Sequence, residues 1–183
     1  MEKQTVFHDI FDTAARGSVD DLRVILEEKK KKITAKDACW GKTMLQHAAA
    51  WNPDVEVLKY LLAQGAKINT KVGCGGETPL HCAAQNNSNL DVVRFLIEQG
   101  ADINAKNGWG RTPLHNSADW NSVEVLSYLI EKGADVNAQA DDERTPLDCV
   151  RRFAEKKRAV LIAAGGKSWK DLPLRSFVPT SQK

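Results

Sequence analysis

The sequence has no long apolar run and little net charge of either sign. Nowhere do eighteen apolar residues follow one another, so no segment is predicted to cross a membrane. The formal net charge is only +2, whereas a dedicated nucleic-acid binder usually presents a strongly basic field. We therefore expect neither a membrane nor a nucleic acid among the partners.

Cysteine is scarce as well. The four cysteines show no Cys-x-x-Cys pair and lack the density of a disulfide scaffold, which predicts a reducing compartment. Residues 1–4 do not provide the basic start and apolar run of a secretory leader, so we expect an intracellular, cytoplasmic protein.

Patterns typical of enzymes are also missing. There is no glycine-rich phosphate loop, no nucleophile with an identifiable base and orienting group, and no spacing typical of zinc ligands. The sequence therefore predicts a non-catalytic protein with no cofactor and no metal.

What the chain does contain is a repeat. Thr-Pro-Leu-His at residues 78–81 recurs at residues 112–115, and altered copies stand at residues 43–46 and 145–148. The threonines that begin these motifs lie 35, 34 and 33 residues apart. Such a period is typical of small units that stack on their neighbours and leave one continuous surface for recognition.

Each unit can be interpreted from its capping residues. Thr78 suits a helix N-cap and Pro79 suits the first helical position, so a helix is predicted to start there. Polar residues 85–89 interrupt it, and apolar residues spaced along 90–97 predict a second helix. Gly100 closes that helix, and an extended finger with a tight turn follows. The closing glycine recurs at Gly65 and Gly133.

These features resemble the ankyrin repeat family, which shares the Thr-Pro-Leu-His start, the paired alanines and the Gly-Ala-Asp-Val-Asn step found at residues 133–137. The resemblance implies an all-α solenoid of stacked helix-turn-helix units with extended, β-hairpin-like fingers, in a single domain. The predicted parts are an N-terminal cap repeat at about 5–37, repeats at 38–72, 73–106 and 107–139, a C-terminal cap repeat at 140–170, and a partly disordered tail at 171–183.

Departures from the family pattern concentrate at the two ends. Lys30 and Glu143 stand where other units carry glycine, Met44 replaces proline, and Asp148 replaces histidine. Cap repeats, whose outer faces meet water, are expected to differ in this way. The final helix is predicted to span residues 151–162, and the tail is expected to dock as far as about residue 174 and to fray after it.

Several residue types are predicted to be structural. His81 and His115 occupy the family's structural histidine position, and Cys82 and Cys149 are expected to pack between repeats. Cys39 and Cys74 lie at fingertips expected to be about 10 Å apart, too far for a disulfide, and are predicted to have no function. The lysines at residues 29–32 are interpreted as the solvated end of a helix, with an anionic partner as the alternative.

Function is predicted on the concave face, which the resemblance builds from the fingers and the exposed side of each first helix. Counting each threonine as position one, positions eight and nine point away from the apolar side of that helix. The finger residue three before the threonine is the other predicted contact. Four of the five tryptophans fall on these positions. The predicted partner-binding residues are Trp40, Lys42, Trp51, Glu77, Gln85, Asn86, Trp109, Arg111, Asp119, Trp120, Asp142 and Arg144.

The tryptophans alternate with small or polar residues such as Gly75, and this pattern suggests two aromatic clusters separated by a gap. Charges of both signs surround them, including Asp141, which suits a protein partner. The chain is therefore predicted to be a monomeric protein-protein interaction module, such as an adaptor, inhibitor or regulatory subunit. In the alternative interpretation, the tryptophans merely cover helix ends.

A second functional hypothesis is a reader of methylated lysine or a similar cationic epitope. Trp40, Trp51 and the acidic Glu77 are the predicted members of an aromatic box that would attract the cation.

Overall fold

The computed structural model describes residues 9–29 and 32–172. Within this part, pairs of antiparallel helices follow one another along the chain. The helices are α1 Ile10–Arg16, α2 Val19–Lys29, α3 Met44–Trp51, α4 Val55–Ala63, α5 Pro79–Asn86, α6 Leu90–Glu98, α7 Pro113–Trp120, α8 Val123–Glu131 and α9 Glu155–Ala163, with 3₁₀ turns at Pro146–Cys149 and Trp169–Asp171. Each pair falls inside one of the predicted repeats, whose boundaries stay predictions.

The helices form two layers. The first helices α1, α3, α5 and α7 pack side by side, and the Pro146–Cys149 turn continues their row. The second helices α2, α4, α6, α8 and α9 form the other row. Leucines such as Leu45, Leu80 and Leu114 are buried between the rows, and small alanines allow the first helices to approach closely. The predicted all-α repeat solenoid is confirmed.

The repeated threonine begins each internal unit as predicted. Thr78 and Thr112 form reciprocal capping boxes with His81 and His115. Since each imidazole Nδ1 accepts the threonine backbone N–H, its Nε2–H is free to donate to the next repeat. His81 Nε2 lies 2.9 Å from the carbonyl oxygen of Arg111. Burial lowers the pKa of both histidines, that of His115 to about 4. The predicted structural role of the histidines is confirmed.

Asparagines connect the repeats on the side opposite the fingers, a role that the sequence analysis did not predict. The side-chain amide of Asn87 donates to the carbonyl oxygens of Ala49 and Asn52, at 3.0 and 2.9 Å. Asn52 and Asn121 make equivalent bonds to the repeats that precede them. A second series of asparagine bonds joins the loops that follow the second helices. It is made by Asn69, Asn104 and Asn137. The three internal repeats are thereby tied to one another at two further points, and each cap repeat is tied to its neighbour at one.

The fingers are short and touch one another directly. Single β-bridges close two of them, Lys36 with Thr43 and Val72 with Glu77. Backbone hydrogen bonds join successive tips, from Cys74 N to Trp40 O at 3.1 Å and from Gly108 N to Gly75 O at 2.8 Å. The expected tip separation of about 10 Å was therefore wrong, because the main chains are within hydrogen-bonding distance.

The four cysteines are free thiols in two different settings. Cys39 and Cys74 are exposed at the fingertips, whereas Cys82 and Cys149 are buried between repeats, as the packing role predicted. Burial raises the pKa of the Cys82 thiol to about 12, so that this group is neutral at physiological pH.

The last repeat departs from the sequence prediction. Its first helix is reduced to the Pro146–Cys149 turn, and its second helix begins at Glu155 rather than at residue 151. The carboxylate of Asp148 accepts hydrogen bonds from Ser168 Oγ at 2.7 Å and Trp169 N at 2.9 Å. The residue that replaces histidine thus fastens the chain that follows α9. Residues 30–31 and 173–183, with the end of the predicted docking and the predicted fraying of the tail, lie outside the described residues.

No helix in the described ranges is both long and apolar enough to span a membrane. Over the same ranges, no cluster of three or more His, Cys, Asp or Glu side chains is placed to hold a metal ion.

Candidate partner-binding face

The four tryptophans predicted to bind a partner are all exposed. Between 56% and 63% of the surface of each residue is accessible to solvent. When a partner covers an exposed indole, a large apolar surface is removed from water, which favours binding. Tryptophan is also among the residues most enriched at interface hot spots. The residues concerned are Trp40, Trp51, Trp109 and Trp120.

The finger that carries Trp40 is held in shape by Asp37. The Asp37 carboxylate accepts backbone N–H groups from Cys39, Trp40 and Lys42, and it lies 2.8 Å from Nε2 of His47. Burial would raise the pKa of Asp37, but the backbone hydrogen bonds and His47 outweigh burial and lower this pKa to about 2. The carboxylate is therefore ionised at neutral pH and fixes the turn that presents Trp40.

Asn107 does the same for the next tryptophan-bearing finger. Its side-chain oxygen accepts the backbone N–H groups of Trp109 and Arg111, both at 3.0 Å. The Trp109 ring then reaches across the preceding finger, where a Cβ atom added to Gly75 would lie only 2.5 Å from the ring. The predicted gap between two aromatic clusters is therefore wrong at this point, because Trp109 covers the small residue.

Three of the tryptophans share one cavity, here called the Trp40 cavity, with a volume of about 260 Å³. Trp40 belongs to the second repeat, and Trp109 and Trp120 belong to the fourth. Residues of the third repeat line the same cavity, so it extends across three repeats. Its lining residues are Trp40, Lys42, Cys74, Gly75, Glu77, Gln85, Asn107, Trp109, Arg111, Asn116 and Trp120.

An ion pair lies in the Trp40 cavity. Lys42 Nζ is 3.0 Å from Oε2 of Glu77, which is nearly buried, and the amide of Asn116 donates to Oε1 of Glu77 at 3.4 Å. Burial would lower the pKa of Lys42, but the neighbouring Glu77 carboxylate outweighs burial and raises this pKa above its usual value. Lys42 is therefore charged, and it neutralises the only acidic group of the cavity.

A second cavity of about 530 Å³, here called the Asp141 cavity, lies between Trp109 and the finger that follows it. Its ion pairs are longer, with Arg111 3.5 Å from Asp119 and Arg144 3.7 Å from Asp142. Arg111 also donates to the Cys149 sulfur at 3.1 Å, which fixes its guanidinium between two repeats. The lining residues are Trp109, Arg111, Asp119, Asp141, Asp142 and Arg144.

Trp120 has one face covered by the last repeat. The guanidinium carbon of Arg151 lies 3.8 Å from the centre of a Trp120 ring, and Arg151 Nε is 3.3 Å from Asp119. This cation-π contact orients the indole and leaves more than half of the residue exposed.

The structure brings ten of the predicted site residues to the two cavities and leaves two outside. Trp51 and Asn86, at the ends of α3 and α5, line neither cavity. Cys74, Asn107 and Asn116 line the Trp40 cavity without having been predicted. Asn116 could have been noticed, since it stands at the helix position that Cys82 and Cys149 occupy in other repeats.

The aromatic box predicted for a methylated lysine is not assembled as expected. Trp51 is not among the residues that line the cavity shared by Trp40 and Glu77. Glu77 already pairs with Lys42, and the positively charged Arg111 is part of the same lining. A partner's cation would therefore meet two positive charges in this cavity.

Comparison with known proteins agrees with the repeat architecture. The family model for ankyrin repeats (three copies) matches residues 10–107 and 72–141, which together cover more than half of the chain. No curated protein matches the sequence. Ankyrin repeats are in general protein-protein interaction modules. On these grounds, the chain belongs to the ankyrin repeat family.

Proposed function

We propose that this protein is a non-catalytic interaction module that binds a partner protein on its concave face, with Trp40 and Trp109 as the main anchors. The observation that carries the proposal is the Trp40 cavity, which is lined by exposed tryptophans from separate repeats. Aromatic side chains that are exposed, yet fixed by their own backbone turns, are typical of interface hot spots.

Rigid presentation is the proposed mechanism. Asp37 and Asn107 fix the two tryptophan-bearing fingers, and the bonds between successive tips hold the fingers against each other. Because these groups are ordered before the partner arrives, little conformational entropy is lost on association. An adaptor, an inhibitor and a regulatory subunit would all use the face in this way, as a monomer that engages its partner.

The charged residues among the predicted contacts supply selectivity in this proposal. The rim is of mixed charge, with the basic residues Lys42, Arg111 and Arg144 and the acidic residues Asp119 and Asp142. Such charges steer encounter and reject wrong partners more than they add affinity. Trp51 and Asn86, which lie outside both cavities, are proposed to extend the contact area on the helix side.

The test is affinity capture from cell extract followed by binding measurements with each captured protein. The Trp40→Ala/Trp109→Ala variant should lose at least about 2 kcal/mol of binding free energy, or about thirtyfold in Kd, for a true partner. Trp169→Ala is the matched control, because it removes an exposed tryptophan from the turn after α9. Unchanged binding by the double variant would contradict the proposal, and so would loss of binding that merely accompanies unfolding in a thermal melt.

A further inference from the structure

Trp109 belongs to the lining of two cavities of different charge. It lines both the Trp40 cavity and the Asp141 cavity, and Arg111 is the one other residue that lines both. A chain segment that covers the exposed Trp109 ring therefore has access to both cavities, one toward the preceding finger and one toward the following finger.

The Trp40 cavity offers positive charge to an incoming group. Lys42 and Arg111 line it, each with about 26% of its side chain exposed, against the single acid Glu77 at 12%. Glu77 is engaged by Lys42 and Asn116 and faces the interior of the array. The cavity volume of about 260 Å³ lies below the usual range for small-molecule sites, about 300 to 1,000 Å³, and fits a side chain better.

The Asp141 cavity has the opposite balance. Three aspartates and two arginines line it. Asp119 is engaged by Arg111 and by Arg151 from outside the cavity, and Asp142 is paired with Arg144. Asp141 is exposed, and it forms no ion pair with any residue in the described part of the chain. Its carboxylate is therefore the acidic group most open to a partner's cation.

We propose that the partner is recognised through a segment that crosses Trp109 with an apolar residue on the indole, an acidic side chain toward Lys42 and Arg111, and a basic side chain toward Asp141. This inference rests on the proposed function and adds the chemistry of the partner. The two charges lie on opposite sides of the apolar residue, and either chain direction satisfies the arrangement. Charge complementarity of this kind selects partners by rejecting segments that present two like charges.

The probe is a displayed library of random twelve-residue peptides, selected separately on the wild type and on Asp141→Lys. Selection on the wild type should enrich peptides with one acidic and one basic residue flanking an apolar residue. Selection on Asp141→Lys should instead enrich peptides with acidic residues on both sides. Glu131→Lys is the control, because it makes the same charge change on the exposed end of α8, and it should select the same peptides as the wild type.

Individual selected peptides are then synthesised and titrated by fluorescence anisotropy. Asp141→Asn should weaken the mixed-charge peptides about fivefold and Asp141→Lys at least about tenfold, with a smaller loss at high salt. If both proteins select the same peptides and bind them equally, the charge arrangement is wrong, while loss of binding in Trp109→Ala would still support the proposed function. If no selected peptide depends on Trp109, both the charge arrangement and the proposed function are contradicted.

Discussion

The ring of Trp109 lies directly over Gly75 of the preceding finger. A Cβ atom at residue 75 would come within 2.5 Å of two ring carbons, so only glycine leaves room for the indole in this position. The third repeat thus contributes to the Trp40 cavity by having no side chain at this point. A missing side chain in one repeat and a large one in the next together determine where Trp109 points.

Gly75→Ala should therefore displace the Trp109 ring. We expect a cost of about 1 kcal/mol in unfolding free energy, at the low end for overpacking because the ring is half exposed and can swing away. Near-ultraviolet circular dichroism should change, and partner binding should weaken. In a Trp109→Ala background the same substitution should cost almost nothing, and an equal cost in both backgrounds would contradict the contact.

Removal of an asparagine that joins two repeats should be more costly. Asn87→Ala leaves the carbonyl oxygens of Ala49 and Asn52 without their donor and removes the acceptor for the backbone N–H of Asn89. Since buried groups left unpaired cost about 1 to 3 kcal/mol each, we expect a loss of at least about 2 kcal/mol in urea unfolding. The neighbouring Asn86→Ala is the control and should change stability by less than about 0.5 kcal/mol.

Glu143 is a site where the native residue is unfavourable. It has φ of 66°, in the left-handed region that its counterparts Gly41, Gly76 and Gly110 occupy without strain. In the folded protein, this conformation costs a residue with a Cβ atom about 1 to 2 kcal/mol. Glycine avoids that cost, but it loses about 0.5 to 1 kcal/mol of stability because its unfolded chain has more conformational freedom. Glu143→Gly should therefore stabilise the protein by about 0.5 to 1 kcal/mol in thermal unfolding. Glu143→Ala keeps the strain and should give no gain.

Stability should fall in mildly acidic solution because of the buried histidines. The pKa of His115 is lowered from 6.5 to about 4, so the unfolded chain takes up a proton at a higher pH than the folded chain. The contribution of this histidine to stability is therefore complete above about pH 6.5 and is lost as the pH falls toward 4, by up to about 3 kcal/mol.

The chain itself provides the control for this pH dependence. Gln46 takes the histidine's place in the second repeat, where its amide oxygen accepts from Thr43 N at 2.8 Å and its nitrogen donates to Glu77 O at 2.6 Å. His115→Gln should keep these bonds but cannot titrate. The difference in unfolding free energy between wild type and variant should therefore shift between pH 7 and pH 4.5, and a constant difference would refute the assignment.

Most of the fold could be predicted because its signals are local. Thr78, Pro79 and Gly100 act on their own turns of chain, and α5 and α6 lie where these residues predict them. The last repeat was predicted less well, since residues 151–154 were expected to be helical. Arg151 instead reaches back to Asp119 and Trp120 of the preceding repeat, and contacts that distant leave no mark in the local sequence pattern.

The candidate positions could be counted from the sequence, whereas the shape of the surface around them could not. Counting from the threonines identified four tryptophans that are exposed, and on the first helices this follows because helix periodicity determines which side chains face away from the core. The same count could not show that Trp109 covers Gly75, or that Glu77 is nearly buried against Lys42. Both depend on how side chains of neighbouring repeats meet.

The two repeating features of this molecule differ in period, and this difference constrains its evolution. The connecting asparagines recur in each of the three internal repeats, so an internal unit could be deleted or duplicated by unequal recombination and the junction would still pair. The fingertip tryptophans recur only in every second repeat. Deletion of the third repeat would bring Trp109 against Trp40 in place of Gly75. The array can therefore change its length in steps of one repeat, whereas its tryptophan arrangement survives only steps of two.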